Sequence, residues 1–425
     1  MKSGILLKDK ILTNIRLAAK YIVAFLKWIV IATIIGIIGG IIGSLFHISV
    51  DYATELRIHN SWIILLLPVG GLAIAGMYSL FAKNRKIDTN RVILSVRKNK
   101  ELPIVMIPLI FVSTVITHLL GGSSGREGAA LQLGGSMGYN LGKVFRLNEK
   151  DRHIIIMAGM SSVFAAVFGT PVTAAVFSLE VISVGVLNYA GMLPCIFAAT
   201  VASRVSTLFG LTGVKYDIVR FEPFAADVLI RVVVLAFLCA IICIVFCAAI
   251  RRCEHLMDRL IHNKYIRSVV GGVVVVAITF AMGSFDYNGA GMDVIADALS
   301  GNARPEAFII KIILTAITIS AGFKGGEIVP AFFIGSTFGC VVGSLVGLDA
   351  GFAAAIGFIA LFCGVVNCPI ASVILSIEVF GTGGLIYFAV ACAVSYMMSG
   401  YFGLYESQKI VYSKIDAEYV DMSVK

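Results

Sequence analysis

Glu127 lies in Gly125-Arg126-Glu127-Gly128, a charged break in an apolar stretch, and a related break returns at Gly325-Gly326-Glu327-Ile328-Val329-Pro330. A carboxyl group can hold or release a proton. At membrane depth such groups are costly and usually line ion or proton paths. Both glutamates open short apolar segments and sit beside glycine, which lets the backbone wrap closely around a small ion. A helix that begins inside a membrane leaves its first N–H groups unpaired and carries partial positive charge there. An anion satisfies both needs. Ionised, Glu127 competes with that anion for the same N–H groups; protonated, it is neutral and can swing away. One residue can thus be both gate and proton carrier, with burial and helix dipole acting oppositely on its proton affinity. The plainer alternative is a glutamate that caps its own helix. Depth, glycine context and repetition favour transport. Glu327 has the same warrant with less force, its plainer role being a cap or a partner for Lys324.

Two proline blocks extend the repeat. Phe168-Gly169-Thr170-Pro171 leads to Glu180-Val181, and Val366-Asn367-Cys368-Pro369 leads to Glu378-Val379. Glu127 and Glu327 are 200 residues apart, as are Gly135 and Gly335, while the proline blocks are 198 apart. Two blocks in the same order mark an internal repeat, and Gly/Pro-interrupted helices at matching places point to a midplane binding site. Proline suits the first position of a helix because its missing N–H is not needed there. Helix starts are therefore expected near Arg126, Ile328, Pro171 and Pro369, holding an anion mostly with backbone dipoles. Glu180 and Glu378 end short apolar helices and are expected to be structural anchors. Arg126 is expected to offset local negative charge or to bind carbonyls of the preceding turn.

The elements that must position these residues are membrane helices. The 425 residues are 59% hydrophobic and 14% charged, against about 45–50% and about 25% in soluble domains. The excess falls in long continuous runs, which indicates an all-α polytopic membrane protein and excludes the alternating pattern of a β-barrel. The net charge of +9 lies between the runs, where cytoplasmic loops carry it. No nucleic-acid motif accompanies it. The basic stretches 83–100 and 143–152 are thus expected to be cytoplasmic, as are both termini. The break at Gly121–Gly128 then lies towards the outer side.

The chain divides into a stub (1–20), a first membrane repeat (21–209), a more polar linker (210–224), a second repeat (225–400), and an inner helix with a short tail (401–425). No further regulatory domain of the CBS type is expected there. Gly36, Gly39, Gly40 and Gly43 have the spacing for close helix packing. Cys239, Cys243 and Cys247 share one helix face and read as small packing residues; no cofactor or metal is expected. No cleavable signal is evident.

The run GGSSGREGAALQLGGSMG (121–138) resembles the GREGP-type signature of the CLC family of chloride channels and anion/proton exchangers. GFKGGEIVPAFFIGSTFG (322–339) resembles that family's second signature, and the proline block and GLYESQKIVYSK (403–414) follow its order. The resemblance spans about residues 20–412. It implies a homodimer with one pore per subunit, two inverted halves, a gating Glu127 and a Tyr405 facing the central anion. Gly125, Arg126, Gly128, Ala129, Ile328 and Val329 would surround the anion. Ala129 after GREG, and Glu327 in the second signature, are similar to the bacterial fluoride/proton antiporter branch. Val181 stands where proton-coupled chloride exchangers carry an inner glutamate, which the fluoride branch also lacks. Arg85–Asn90 shows neither the chloride-type GSGIP motif nor the methionine of the fluoride branch, and Val329 stands where that branch often has threonine. Thr89 or Asn90 is the candidate for the missing inner contact. The reading is a fluoride/proton antiporter, with a chloride channel or chloride/proton exchanger as its alternative.

A different class of function has one weak motif. Gly122-Ser123-Ser124-Gly125 fits a G-x-S-G serine pattern, which needs a histidine base. His118 is the nearest in sequence.

Overall fold

Among the described residues the chain forms two sets of eight α-helices. The first set is α1 (Lys2–His59), α2 (Leu67–Phe81), α3 (Thr89–Lys98), α4 (Met106–Leu119), α5 (Glu127–Val144), α6 (Glu149–Phe168), α7 (Pro171–Glu180) and α8 (Met192–Leu208). The second is α9 (Ala226–Leu260), α10 (Lys264–Met282), α11 (Met292–Leu299), α12 (Ala307–Ser320), α13 (Ile328–Val346), α14 (Ala350–Val366), α15 (Pro369–Phe380) and α16 (Leu385–Met398). The structure, a computed structural model, describes residues 2–82, 87–216, 221–416 and 418–424, with side chains from Thr13 onward. Among the described residues, seven helical segments are long and apolar enough to cross a membrane, and six shorter apolar helices accompany them. The protein is a multi-pass membrane protein.

The two sets correspond element by element. α5 packs on α6 as α13 packs on α14, and α1 packs on α6 and α8 as α9 packs on α14 and α16. Across the halves, equivalent helices meet: α2 with α10, α5 with α13, α7 with α15. Like meeting like is what a two-fold relation between halves requires. Directions show that the relation is inverted. Lys27, near the middle of α1, donates to Asp151 at 2.5 Å, while Arg251, late in α9, donates to the Gly403 carbonyl at 2.6 Å. Arg97 of α3 donates to the Ser407 carbonyl at 2.7 Å, and Asn99 reaches Glu149 at 3.2 Å. One face therefore gathers the middle of α1, the loop before α6, the end of α9 and the tail. α5 runs towards this tail face. α13 runs away from it, and the carbonyl just past its end, that of Gly347, accepts from Arg231 near the start of α9 at 2.6 Å.

Glycine sets how closely the paired helices approach. A Cβ on Gly134 of α5 would strike the carbonyl of Gly159 in α6, and one on Gly335 of α13 would strike that of Gly357 in α14. Small residues replace the missing hydrophobic drive between membrane helices with close packing. Gly36 and Gly40 of α1 likewise lie against Val201 and Val205 of α8. Cys239, Cys243 and Cys247 are free and buried on α9.

Three features differ from the sequence reading. α1 runs unbroken from Lys2 through the basic stub, because no proline interrupts good helix formers there. The basic stretch after α2 contains α3, whose start is capped by Asp88 accepting from Arg91 N at 2.9 Å; so short and polar a helix leaves no apolar run. The inner helix expected at 401–425 is absent among the described residues. Turns there lead into β2 (Lys409–Tyr412) and β3 (Tyr419–Ser423), which form a sheet with β1 (Ser183–Val184) in the order β1-β2-β3. Gly400 and Gly403 break the helix, and the β-branched pair Ile410-Val411 favours a strand.

Candidate functional site

The two glutamate breaks interlock at the centre of the molecule. Gly125 N donates to Gly326 O at 2.7 Å, and Gly326 N returns the bond to Gly125 O at 2.6 Å. Around this bridge the contacts are reciprocal: Ser123 N donates to Thr318 Oγ1 at 3.1 Å and Lys324 N to Thr117 Oγ1 at 3.2 Å. A Cβ on Gly128 would lie 2.8 Å from Gly326 Cα, so only glycine allows the two backbones to meet. Ala129, Ile328 and Val329 are buried in the first turns of α5 and α13.

Glu127 is 1% exposed. Its Oε2 accepts from Arg126 N at 3.0 Å, so the carboxylate occupies the N-terminus of its own helix. Arg126 Nε stands 3.7 Å from Oε1, while its guanidinium pairs with Asp51 of α1. Asp51 in turn bonds His47 Nε2 at 2.9 Å. Arg126 thus lies between two carboxylates. Above it opens a cavity of about 540 Å³ on the face away from the tail, lined by Asp51, Arg57, His118, Arg126 and Asn288 among others.

Glu327 is half-buried and opens the other way. It lines a cavity of about 140 Å³ on the tail face together with Thr89, Asn90, Gln132 and Tyr405. The Glu327 carboxylate lies against its own backbone N–H. The Tyr405 hydroxyl is buried without a partner, within electrostatic reach of both Glu127 and Glu327. Hydrogen bonds from neighbouring residues engage acceptors at this cavity. Gln132 Nε2 donates to Thr89 Oγ1 at 3.0 Å, which leaves the threonine O–H to donate elsewhere. Asn90 Oδ1 accepts from Ser407 N at 2.9 Å, which leaves the amide NH₂. With Tyr405 these are three donors around one small space, suited to an anion. Arg85 and Lys86 of the atypical 85–90 segment lie outside the described residues.

The proline junction is built differently. The Glu378 carboxylate accepts from Val172 N at 3.0 Å and Thr173 N at 2.7 Å, at the start of α7. Reciprocally, Glu180 accepts from Ile370 N at 3.1 Å and Ala371 N at 2.8 Å, at the start of α15. The N-termini at Pro171 and Pro369, expected to face the anion, are instead filled by carboxylates from the opposite half. The helix starts left at the cavities are those of α3, α5 and α13.

In the serine motif, Ser123 Oγ bonds Thr315 Oγ1 at 3.0 Å, while Ser124 Oγ and both ring nitrogens of His118 have no partner. The nucleophile–base hydrogen bond is therefore not made. Sequence reasoning missed Gln132, Asp51, Arg57 and Lys311 as parts of the site. Lys311, inside the apolar run 307–321, carried the same signal as Glu127, a charge at membrane depth. Gln132 and Arg57 carried none, since only folding sets them beside Thr89 and His118.

A family model described as voltage gated chloride channel matches residues 70–400. A chloride/fluoride channel protein of Pseudomonas syringae pv. tomato is 35% identical over 395 residues, covering 91% of this chain and 87% of that protein. The crystal structure of a CLC-type fluoride/proton antiporter superposes with a TM-score of 0.85 at 29% identity, over 90% of this chain and 97% of that one. The structure of a slow cyanobacterial Cl⁻/H⁺ antiporter superposes with a TM-score of 0.74 at 19% identity, covering 88% and 94%, and shares the fold.

Proposed function

The chain belongs to the voltage-gated chloride channel (CLC) family of anion transporters, and from that premise we propose that it exports fluoride in exchange for protons. One observation carries the reading. The Glu127 carboxylate occupies the start of α5, the place an anion would take, and Glu327 opens to the opposite face. The tail face carries the basic loops and is assigned to the cytoplasm with both termini, in the cell membrane.

Fluoride enters from the cytoplasmic cavity, where Thr89 O–H, the Asn90 amide and Tyr405 O–H replace its water. A small, strongly hydrated anion needs such close donors. Gly125, Arg126, Gly128 and Ala129, with Ile328 and Val329, supply the backbone groups between the two cavities. A proton on Glu127 neutralises it and lets it leave the α5 N-terminus to the anion; its return, ionised, displaces the anion outward. Glu327 hands protons between the inner cavity and this exchange. The similarity to a fluoride/proton antiporter supports fluoride over chloride. A homodimer, implied by the resemblance of the signature segments, is part of the same proposal.

Chloride exchange is the second reading, favoured by the absence of threonine at Val329. Reconstitution into liposomes decides between them. Outward fluoride flux is expected to drive proton uptake, with chloride carried far more slowly. Equal rates for both anions would overturn fluoride selectivity, and halide flux without proton movement would overturn antiport.

A further inference from the structure

A proton that arrives from the outer face must reach Glu127, which is 1% exposed. Glu127 is not among the described residues that line the outer cavity of about 540 Å³. That cavity carries four carboxylates, those of Asp51, Glu55, Asp286 and Asp293. Asp51 is engaged by Arg126 and His47, whereas Glu55, Asp286 and Asp293 are exposed. So acidic a vestibule raises the local concentration of cations, protons included. The buried polar residues lining it are Arg57, His118, Arg126 and Asn288. Of these only histidine takes up and releases protons near neutral pH; a guanidinium keeps its protons and an amide does not titrate.

His118 lies in the last turn of α4 and is 1% exposed. Its ring lies beside the Gly125 backbone. Glu127 borders the same glycine, its Oε2 3.0 Å from where a Cβ on Gly125 would stand. Neither ring nitrogen of His118 has a partner. A buried polar group that only packs is normally hydrogen-bonded, and an ionisable side chain at membrane depth is the usual mark of an ion or proton path. Arg57 of α1, Arg126 before α5 and Lys311 of α12 all lie within electrostatic reach of the ring. A positive ring among three cations is costly, so a proton can cross His118 by exchange but not be stored there.

We propose that His118 is a proton relay between the outer cavity and Glu127. One ring nitrogen takes a proton from cavity water while the other gives its N–H proton, through a bridging water, to the Glu127 carboxylate. The ring stays neutral and ends as the opposite tautomer; a half-turn of the ring restores the first. One proton has then moved inward, and Glu127 is neutral and able to leave the α5 N-terminus. This role rests on the proposed antiport, in which Glu127 remains the carrier.

Fluoride efflux from liposomes under an outward gradient, followed with a fluoride electrode, tests the relay. His118→Gln keeps a polar side chain of similar size that cannot exchange protons. It is expected to slow coupled efflux about a hundredfold, the lower end of what a positioned proton-transfer group contributes, with the proton-to-fluoride ratio unchanged. Its rate is expected to fall about tenfold per unit rise in outer pH, as direct protonation by hydronium requires, and wild type to fall less steeply. His118→Ala is expected to be as slow, and added imidazole to restore its efflux while leaving wild type and protein-free liposomes unaffected. Wild-type rates in His118→Gln would overturn the relay and leave antiport standing. So would slow efflux in His118→Ala that imidazole does not raise, because a packing role predicts it. Should the alanine variant fail to fold, a pH slope in His118→Gln no steeper than that of wild type would overturn the relay equally. Wild-type efflux without proton uptake would overturn antiport itself, and the relay with it.

Discussion

At the proline junction the carboxylates of Glu180 and Glu378 each accept two backbone N–H groups from the opposite half. At the glycine junction Glu127 and Glu327 turn back on the first N–H groups of their own helices. Both junctions pair glutamates at matching places in the repeat, and in both the carboxylate meets a helix start; Glu127 and Glu327 open their own helices, whereas Glu180 and Glu378 end theirs and reach across to the other half. A carboxylate bound across the seam cannot leave without stripping a helix N-terminus in the other half, so it fastens. A carboxylate resting on its own helix can leave and yield the position to an anion, as the proposed gating role requires. The inverted repeat thus supplies two carboxylates that fasten the seam and two left free for the gating and proton-transfer roles proposed above.

Breaking the glycine junction has the largest expected effect. Gly128→Ala places a methyl 2.8 Å from Gly326 Cα, and the interlocked breaks cannot close. Overpacking of this kind is expected to cost about 3 kcal/mol or more, seen as loss of the monodisperse peak in size exclusion. Gly76→Ala in α2, with nothing near its added methyl, leaves that peak intact. Next come the fasteners. Glu180→Gln and Glu378→Gln each replace a charge-assisted cap with a neutral one and are expected to cost about 1–2 kcal/mol. Thermal unfolding should show similar losses for the two, because their geometry is reciprocal, while the proton-to-anion ratio stays at the wild-type value. A changed ratio would make the proline junction part of the proton path and remove the contrast.

Much of this contrast was legible in the sequence, because charge, glycine and proline at repeated spacing mark breaks whatever the surrounding packing. Which breaks face the anion was not. Pro171 and Pro369 read as further anion-holding helix starts, and only the crossing of Glu378 and Glu180 reveals them as filled. The donors at Thr89 and Asn90 were named as candidates, but their orientation depends on Gln132 and Ser407, 43 and 317 residues away in the chain. The tail read as helix because its strand is four residues long and needs Ser183–Val184 to pair with.

The smallest expected effect sharpens the gate side. Tyr405→Phe removes a hydroxyl with no protein partner, so stability should not fall. If that hydroxyl meets the anion, halide affinity drops about three- to tenfold, the value of one hydrogen bond. Unchanged affinity would take Tyr405 out of the anion site.

The most direct measurement follows proton movement in liposomes carrying wild type, Glu127→Gln or Glu180→Gln under an outward fluoride gradient. Wild type and Glu180→Gln are expected to take up protons as fluoride leaves, whereas Glu127→Gln carries none. Proton uptake that survives in Glu127→Gln would contradict the assignment of Glu127 as the mobile carboxylate.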